Sequence, residues 1–224
     1  MDDFPFAIVG FDLDGTLLDT HRDLGAALNH ALVRAGRPEV PPDQVRGLIG
    51  GGTKQMLSRG LALTGGPVDD AVLATLQQDL LAHYEANIAV HTALFPGGAE
   101  MLDALASRGA QIALVTNKLE RLATRLMATL GLTERFYTII GGDTLGPGRA
   151  KPRPDLLHEM LARAPAEGRA AYVGDTTFDI GAARAAAIPC VAVSFGFCDL
   201  PPHELGADAV IDHFDDLVPV LSAL

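Results

Sequence analysis

Two carboxylates stand two residues apart in Phe11-Asp12-Leu13-Asp14-Gly15-Thr16-Leu17-Leu18-Asp19-Thr20. Like charges this close repel, and burial adds to the cost. A fold keeps such a pair where a cation neutralises it or where chemistry uses it. Asp12 can act as a nucleophile and Asp14 as an acid or base. Both can help hold a divalent metal, and hard Mg²⁺ prefers such oxygens. The bland alternative is a strand-to-turn junction, with Asp14 and Gly15 as turn residues.

Three more stretches carry residues of the same kind: Thr116-Asn117, Lys151 ahead of Pro152-Arg153-Pro154-Asp155, and Gly174-Asp175-Thr176-Thr177-Phe178-Asp179. Alone, each has an ordinary reading. Thr116 is a β-former, Lys151 a solvated loop residue, Asp175 a helix N-cap and Asp179 a first-turn acid.

The elements that must position these residues follow from periodicity. The apolar run Phe6-Ala7-Ile8-Val9 has the length of a buried strand. From about Leu18 to His91 the pattern is helical throughout. Thr20 with Asp23 suggests a variant capping box, and Leu24, Leu28 and Leu32 follow helical spacing. Short helices follow at Pro41-Pro42-Asp43 and Lys54 to Leu63, then a long one with Leu73, Leu76, Leu80 and Tyr84 on one face. After Phe95-Pro96-Gly97-Gly98, helices alternate with the short apolar runs 112–116, 137–140, 171–173, 190–193 and 209–211. That alternation predicts an α/β fold with a parallel sheet covered on both faces, and an inserted all-helical domain. In such a sheet the site lies beyond the carboxyl ends of the strands. Asp12, Asp14, Thr116, Asn117, Lys151, Asp175 and Asp179 all fall at that edge.

Composition narrows the function. The 224 residues are 48% apolar, enough for a core without disulfides. Twenty-eight acids oppose 17 bases, a net charge of −11, and no basic cluster offers a nucleic-acid surface. No apolar run reaches membrane-spanning length. Cys190 and Cys198 lack metal-ligand spacing and read as reduced thiols. The acidic start Met1-Asp2-Asp3 has the wrong sign for a secretion signal. The expectation is a cytoplasmic protein, monomer or homodimer, with a small-molecule partner and no role for nucleic acid or membrane.

The ten-residue string around Asp12 resembles the first signature of the haloacid dehalogenase-like (HAD) phosphohydrolases. The other three stretches are similar to their remaining signatures. The resemblance covers nearly the whole chain. It implies a Rossmann-like HAD core over 1–17 and 92–224 with a helical, C1-type cap over 18–91. It further implies Asp12 as nucleophile and Asp14 as general acid and then base. Thr116 and Asn117 would lie beside the phosphoryl group, and Lys151 would pair with nucleophile and phosphate. Mg²⁺ would sit on Asp12, the backbone oxygen of Asp14, and Asp175, with Gly174 and Asp179 in support. Within the cap, Gly50-Gly51-Gly52-Thr53-Lys54 is the loop aimed at the substrate: its glycines allow close approach and its NH groups suit an anion. Gly52, Thr53, Lys54 and Arg46 are the substrate-binding candidates there.

The cap loop, Gly141-Gly142-Asp143-Thr144-Leu145, Ser194-Phe195-Gly196-Phe197 and the tail 210–217 look like phosphoglycolate phosphatases. The implied reaction is hydrolysis of 2-phosphoglycolate through a phospho-aspartate. His21-Arg22 and the glycine-rich 146–150 depart from that pattern. A sugar-phosphate phosphatase or phosphoryl mutase shares the core. A catalytically silent HAD-fold binding protein, a dehalogenase, a phosphonate-cleaving relative and a phospho-aspartate receiver are further alternatives. The last three fit the acids or the length less well.

Overall fold

The computed structural model describes residues 4–224. Met1-Asp2-Asp3, and with them the expectation about secretion, lie outside the described residues. Six parallel strands form the main sheet: β1 (Ile8–Phe11), β4 (Gln111–Val115), β5 (Thr138–Ile140), β6 (Ala170–Gly174), β7 (Cys190–Val193) and β8 (Ala209–Ile211). Their spatial order is β5-β4-β1-β6-β7-β8. Ile8 pairs with both Gln111 and Ala170, and Phe11 with both Leu114 and Val173, so β1 lies at the centre.

Strand alternation sends the side chains to two cores. Val9, Phe11, Leu114, Val173 and Val191 face one side, toward α5 (Gly98–Ser107), α6 (Glu120–Thr129) and α9 (Leu217–Ala223). Ile8, Ala113, Val115, Tyr172 and Cys190 face α7 (Asp155–Arg163) and α8 (Thr177–Ala185) on the other. Both faces are covered, which is why the strands are continuously apolar and not alternating. Pro154 lies one residue ahead of α7, as its N-cap.

A two-stranded antiparallel ribbon, β2 (Leu18–Asp19) with β3 (Ala93–Leu94), was not visible in the sequence. Two residues are too few to show a period. Between its strands lies the predicted helical block: α1 (His21–Arg34), α2 (Pro42–Val45), α3 (Thr53–Thr64) and α4 (Asp70–Ala86). Leu24, Leu28, Leu57, Leu61, Leu80 and Tyr84 fill its interior, which joins the apolar core of the sheet.

The capping box expected of Thr20 and Asp23 does not form. Thr20 adopts helical backbone angles and makes no side-chain cap. Asp23, buried, instead accepts hydrogen bonds from the His91 and Thr92 amides and the Thr92 hydroxyl, 2.7–3.1 Å away. The carboxylate thus ties the start of the helical block to its exit. A partner 69 residues away in sequence outcompetes the local one.

Candidate active site at the carboxyl edge of the sheet

The strand order brings the chemistry together. Asp12 follows central β1, Thr116 follows β4 on one side, and Asp175 follows β6 on the other. Side-chain oxygens of Asp12, Asp175 and Asp179 lie within 4.8 Å of one another, all buried. Gly15, at φ +87°, lets the turn after β1 close against Asp175. A Cβ there would meet Asp175 Oδ2 at 2.4 Å. Gly174 plays the same part beneath Asp179, whose Cβ would stand 2.3 Å from an added one.

Each acid is held differently. Asp175 accepts from the Thr16 hydroxyl at 2.8 Å and from the Phe197 amide at 2.7 Å. Asp179 caps α8, accepting from the Thr176 hydroxyl and amide, and its other oxygen meets Lys151 Nζ at 2.6 Å. Lys151 Nζ also donates to Val115 O and the Tyr172 hydroxyl. Its three protons are therefore spent. Asp12 Oδ1 lies 2.9 Å from the same nitrogen as an ion pair, and this buried oxygen has no other partner among the described residues.

Such an atom is costly unless something else supplies a partner. Burial lifts the Asp12 carboxyl from 3.8 to about 6; Lys151 works against the rise, and Asp179 and Asp14 add to it. Burial also pushes Asp175 well up, with Asp179 and Asp12 adding, against the Thr16 and Phe197 hydrogen bonds. Both acids would hold their negative charge more easily beside a cation.

A profile of the haloacid dehalogenase-like hydrolase family matches residues 9–193, the span that contains this edge and the helical block. The chain belongs to the haloacid dehalogenase-like hydrolases. It is 41% identical over 220 residues to the phosphoglycolate phosphatase of Agrobacterium fabrum, covering 97% of this chain and 92% of that one. The phosphoglycolate phosphatase of Caulobacter vibrioides is also 41% identical, over 94% of this chain and 89% of its own. A crystal structure of a predicted phosphoglycolate phosphatase from Haemophilus somnus superposes with a TM-score of 0.85 at 26% identity, covering 96% and 97%. The protein is thus a phosphoric monoester hydrolase of the phosphoglycolate phosphatase-like branch.

Within this HAD site the sequence-derived candidates separate. Asp12, Asp14, Thr116, Asn117, Gly52 and Thr53 line one cavity of about 30 Å³ between the sheet edge and the helical block. Asn117 differs from expectation: its side chain accepts from the Lys151 amide at 2.9 Å and donates to the Lys151 carbonyl at 3.1 Å. The amide is spent on holding the lysine's backbone. Lys54 is exposed and is not among the cavity's lining residues. Arg46 is also not among them, and pairs with Asp19 at 3.4 Å beside the Phe197 ring.

One residue was missed. Lys118 is buried at the cavity wall, with Nζ 3.0 and 3.1 Å from the two Asp14 oxygens and 4.4 Å from the centre of the Tyr84 ring. Burial works against its charge, but Asp14 and Tyr84 together outweigh burial and raise the ammonium above the usual lysine range. A signal existed. The chain has three lysines against 14 arginines, so lysine is scarce on the surface, and two of the three sit at this edge.

Proposed function

We propose that the protein is a Mg²⁺-dependent phosphatase that hydrolyses a small phosphate monoester, 2-phosphoglycolate first among candidates, through a phospho-aspartate. The observation that carries the reading is the buried Asp12 Oδ1. Its one partner among the described residues is the Lys151 ammonium, and it belongs to a residue lining the cavity. A nucleophile needs a free lone pair, and this carboxylate has one. The names of the two 41%-identical relatives point to the ester.

The residues fit a hard divalent cation. Three carboxylates, Asp12, Asp175 and Asp179, face one ammonium, Lys151, and one divalent ion cancels the difference. Asp12, Asp175 and the backbone oxygen of Asp14 would hold it. Bound there, Mg²⁺ would offset the phosphate charge that repels Asp12 and the charge that develops at the transition state.

The protein's own groups then divide the work. An Asp12 oxygen forms a bond to phosphorus as the ester P–O bond breaks, and Asp14 gives a proton to the leaving oxygen. Asp14 next takes a proton from water, whose oxygen bonds phosphorus and releases Asp12. Splitting the reaction into two displacements lowers each barrier. Thr116 would hydrogen-bond the phosphoryl oxygens. Asn117 sets the Lys151 backbone, and Asp179 fixes the Lys151 ammonium from behind.

Residues 18–91 would act as the cap. The cavity, about 30 Å³, has room for a water molecule or two and not for an ester. The helical block would lift to admit substrate and return to exclude bulk water. Gly52 and Thr53, at the start of α3, bring backbone NH groups to the cavity wall. The setting we propose is the cytoplasm, with a soluble phosphorylated metabolite as the partner.

The test is phosphate release from a panel of small phosphate esters, with Mg²⁺ and with EDTA. The expected result is Mg²⁺-dependent turnover strongest on 2-phosphoglycolate. Stronger turnover of a sugar phosphate would move the substrate, and no release from any ester would overturn the reading.

A further inference from the structure

Lys118 and Lys151 are both buried lysines of one site, yet they are bound in different ways. Lys151 Nζ is fixed by Val115 O, the Tyr172 hydroxyl and two carboxylates. Lys118 Nζ has one carboxylate, Asp14, and an aromatic face, Tyr84. No backbone carbonyl among the described residues holds it. It is the one cation among the residues that line the cavity, which Lys151 does not reach. A buried ammonium with one hydrogen-bonding partner, at a cavity wall, can exchange or share that partner with an arriving anion.

We propose that Lys118 is the specificity-determining residue of this enzyme, and that it reads a carboxylate on the leaving group of the substrate. The proposal rests on the phosphatase reading above and deepens it. Its geometric basis is short. If Asp14 is to protonate the ester oxygen, that oxygen must come within about 2.7 Å of it. In a glycolate leaving group, three bonds of about 1.2–1.5 Å separate the ester oxygen from a carboxylate oxygen. Nζ lies 3.0 Å from Asp14, so the carboxylate arrives beside the ammonium. A neutral end group at the same place would leave Lys118 with nothing gained.

Tyr84 gives the arrangement its dependence on the helical block. Its ring comes from α4 and covers Lys118, so the ammonium is desolvated when the block lies against the sheet. A desolvated cation discriminates charged from neutral ligands far more strongly than a wet one. Glu85, the next residue, pairs with Arg121 and Arg125 of α6, which docks this end of α4 on the helix that follows the loop carrying Lys118.

The experiment compares 2-phosphoglycolate with 2-hydroxyethyl phosphate, an ester of equal length and neutral end. Kcat/KM is measured for both in wild type, Lys118→Met and Lys118→Gln, with folding checked by thermal melts. Gln keeps a donor for Asp14 but no charge, so it separates recognition from the positioning of Asp14. The expected result is a wild-type preference for the charged ester that falls about 30- to 100-fold in both variants, as for a lost charged hydrogen bond. The neutral ester should fall by a smaller factor than the charged one in Lys118→Gln. Equal losses on both esters would overturn the proposal and leave Lys118 as a support of Asp14. A wild-type preference that survives in Lys118→Gln would overturn it and leave the substrate reading intact. A wild type with no preference for the charged ester would overturn both.

Discussion

Asp12 concentrates the physics of the site at a single residue. Its carboxyl is raised from 3.8 to about 6, chiefly by burial. The folded, metal-free protein therefore binds a proton that the unfolded chain has already released between those values. Stability from this group is complete below pH 3.8 and is lost as pH rises through about 6, by up to about 3 kcal/mol. Asp12→Asn should accordingly melt higher than wild type in EDTA at pH 7.5, with little difference near pH 4. Thermal melts at both values check this, and a difference independent of pH would contradict it. In the proposed mechanism the same substitution replaces the attacking carboxylate by a neutral amide, so turnover should fall below detection with the fold intact. Metal binding must expel the Asp12 proton. The apparent Mg²⁺ affinity should rise as pH increases to about 6 and level off above, as calorimetry would read.

Among the elements, the ribbon of β2 and β3 and its Asp23 clasp carry the connection between sheet and helical block. Asp23 accepts four buried or half-buried contacts from His91 and Thr92. Asp23→Ala leaves two amides and a hydroxyl without their partner, at a cost of about 2–4 kcal/mol. The expected result is a lower midpoint in urea. Amides of residues 91–92 should also lose hydrogen-exchange protection more than those of β1. Glu85 with Arg121 and Arg125 is the contrasting case. These groups are exposed, and such pairs contribute little in salt water, so their value lies in orienting α4.

For the whole molecule, the proposed reading makes motion of the helical block over the cavity of about 30 Å³ a part of turnover. The loop ahead of α3 rests on the first turn of α8: a Cβ at Gly51 would lie 3.2 Å from Phe178 Cζ. In a Gly51→Cys, Phe178→Cys double variant, a short reducible cross-linker should stop turnover, and reductant should restore it. Cys190 is buried, and Cys198, half-buried, serves as the control in the parent. Unchanged activity after complete cross-linking would mean that substrate reaches Asp12 without the block moving.

The sequence by itself determined the βα alternation, the position of the helical insertion, and the carboxyl-edge set of Asp12, Asp14, Thr116, Lys151, Asp175 and Asp179. Those features depend on local period and on residues at strand ends, which a linear chain displays. Tertiary structure decided what depends on partners far apart in the chain. Lys118 became part of the site through Asp14, 104 residues away. Asn117 was turned to the backbone of Lys151, 34 residues on. Asp23 left its local cap for Thr92. Lys54 and Arg46 have the right charge for an anion and the right neighbourhood in sequence, yet helix orientation sets Lys54 in solvent and Arg46 on Asp19. A side chain's type fixes what it can bond. Only the fold fixes which of the possible partners lies within 3 Å of it.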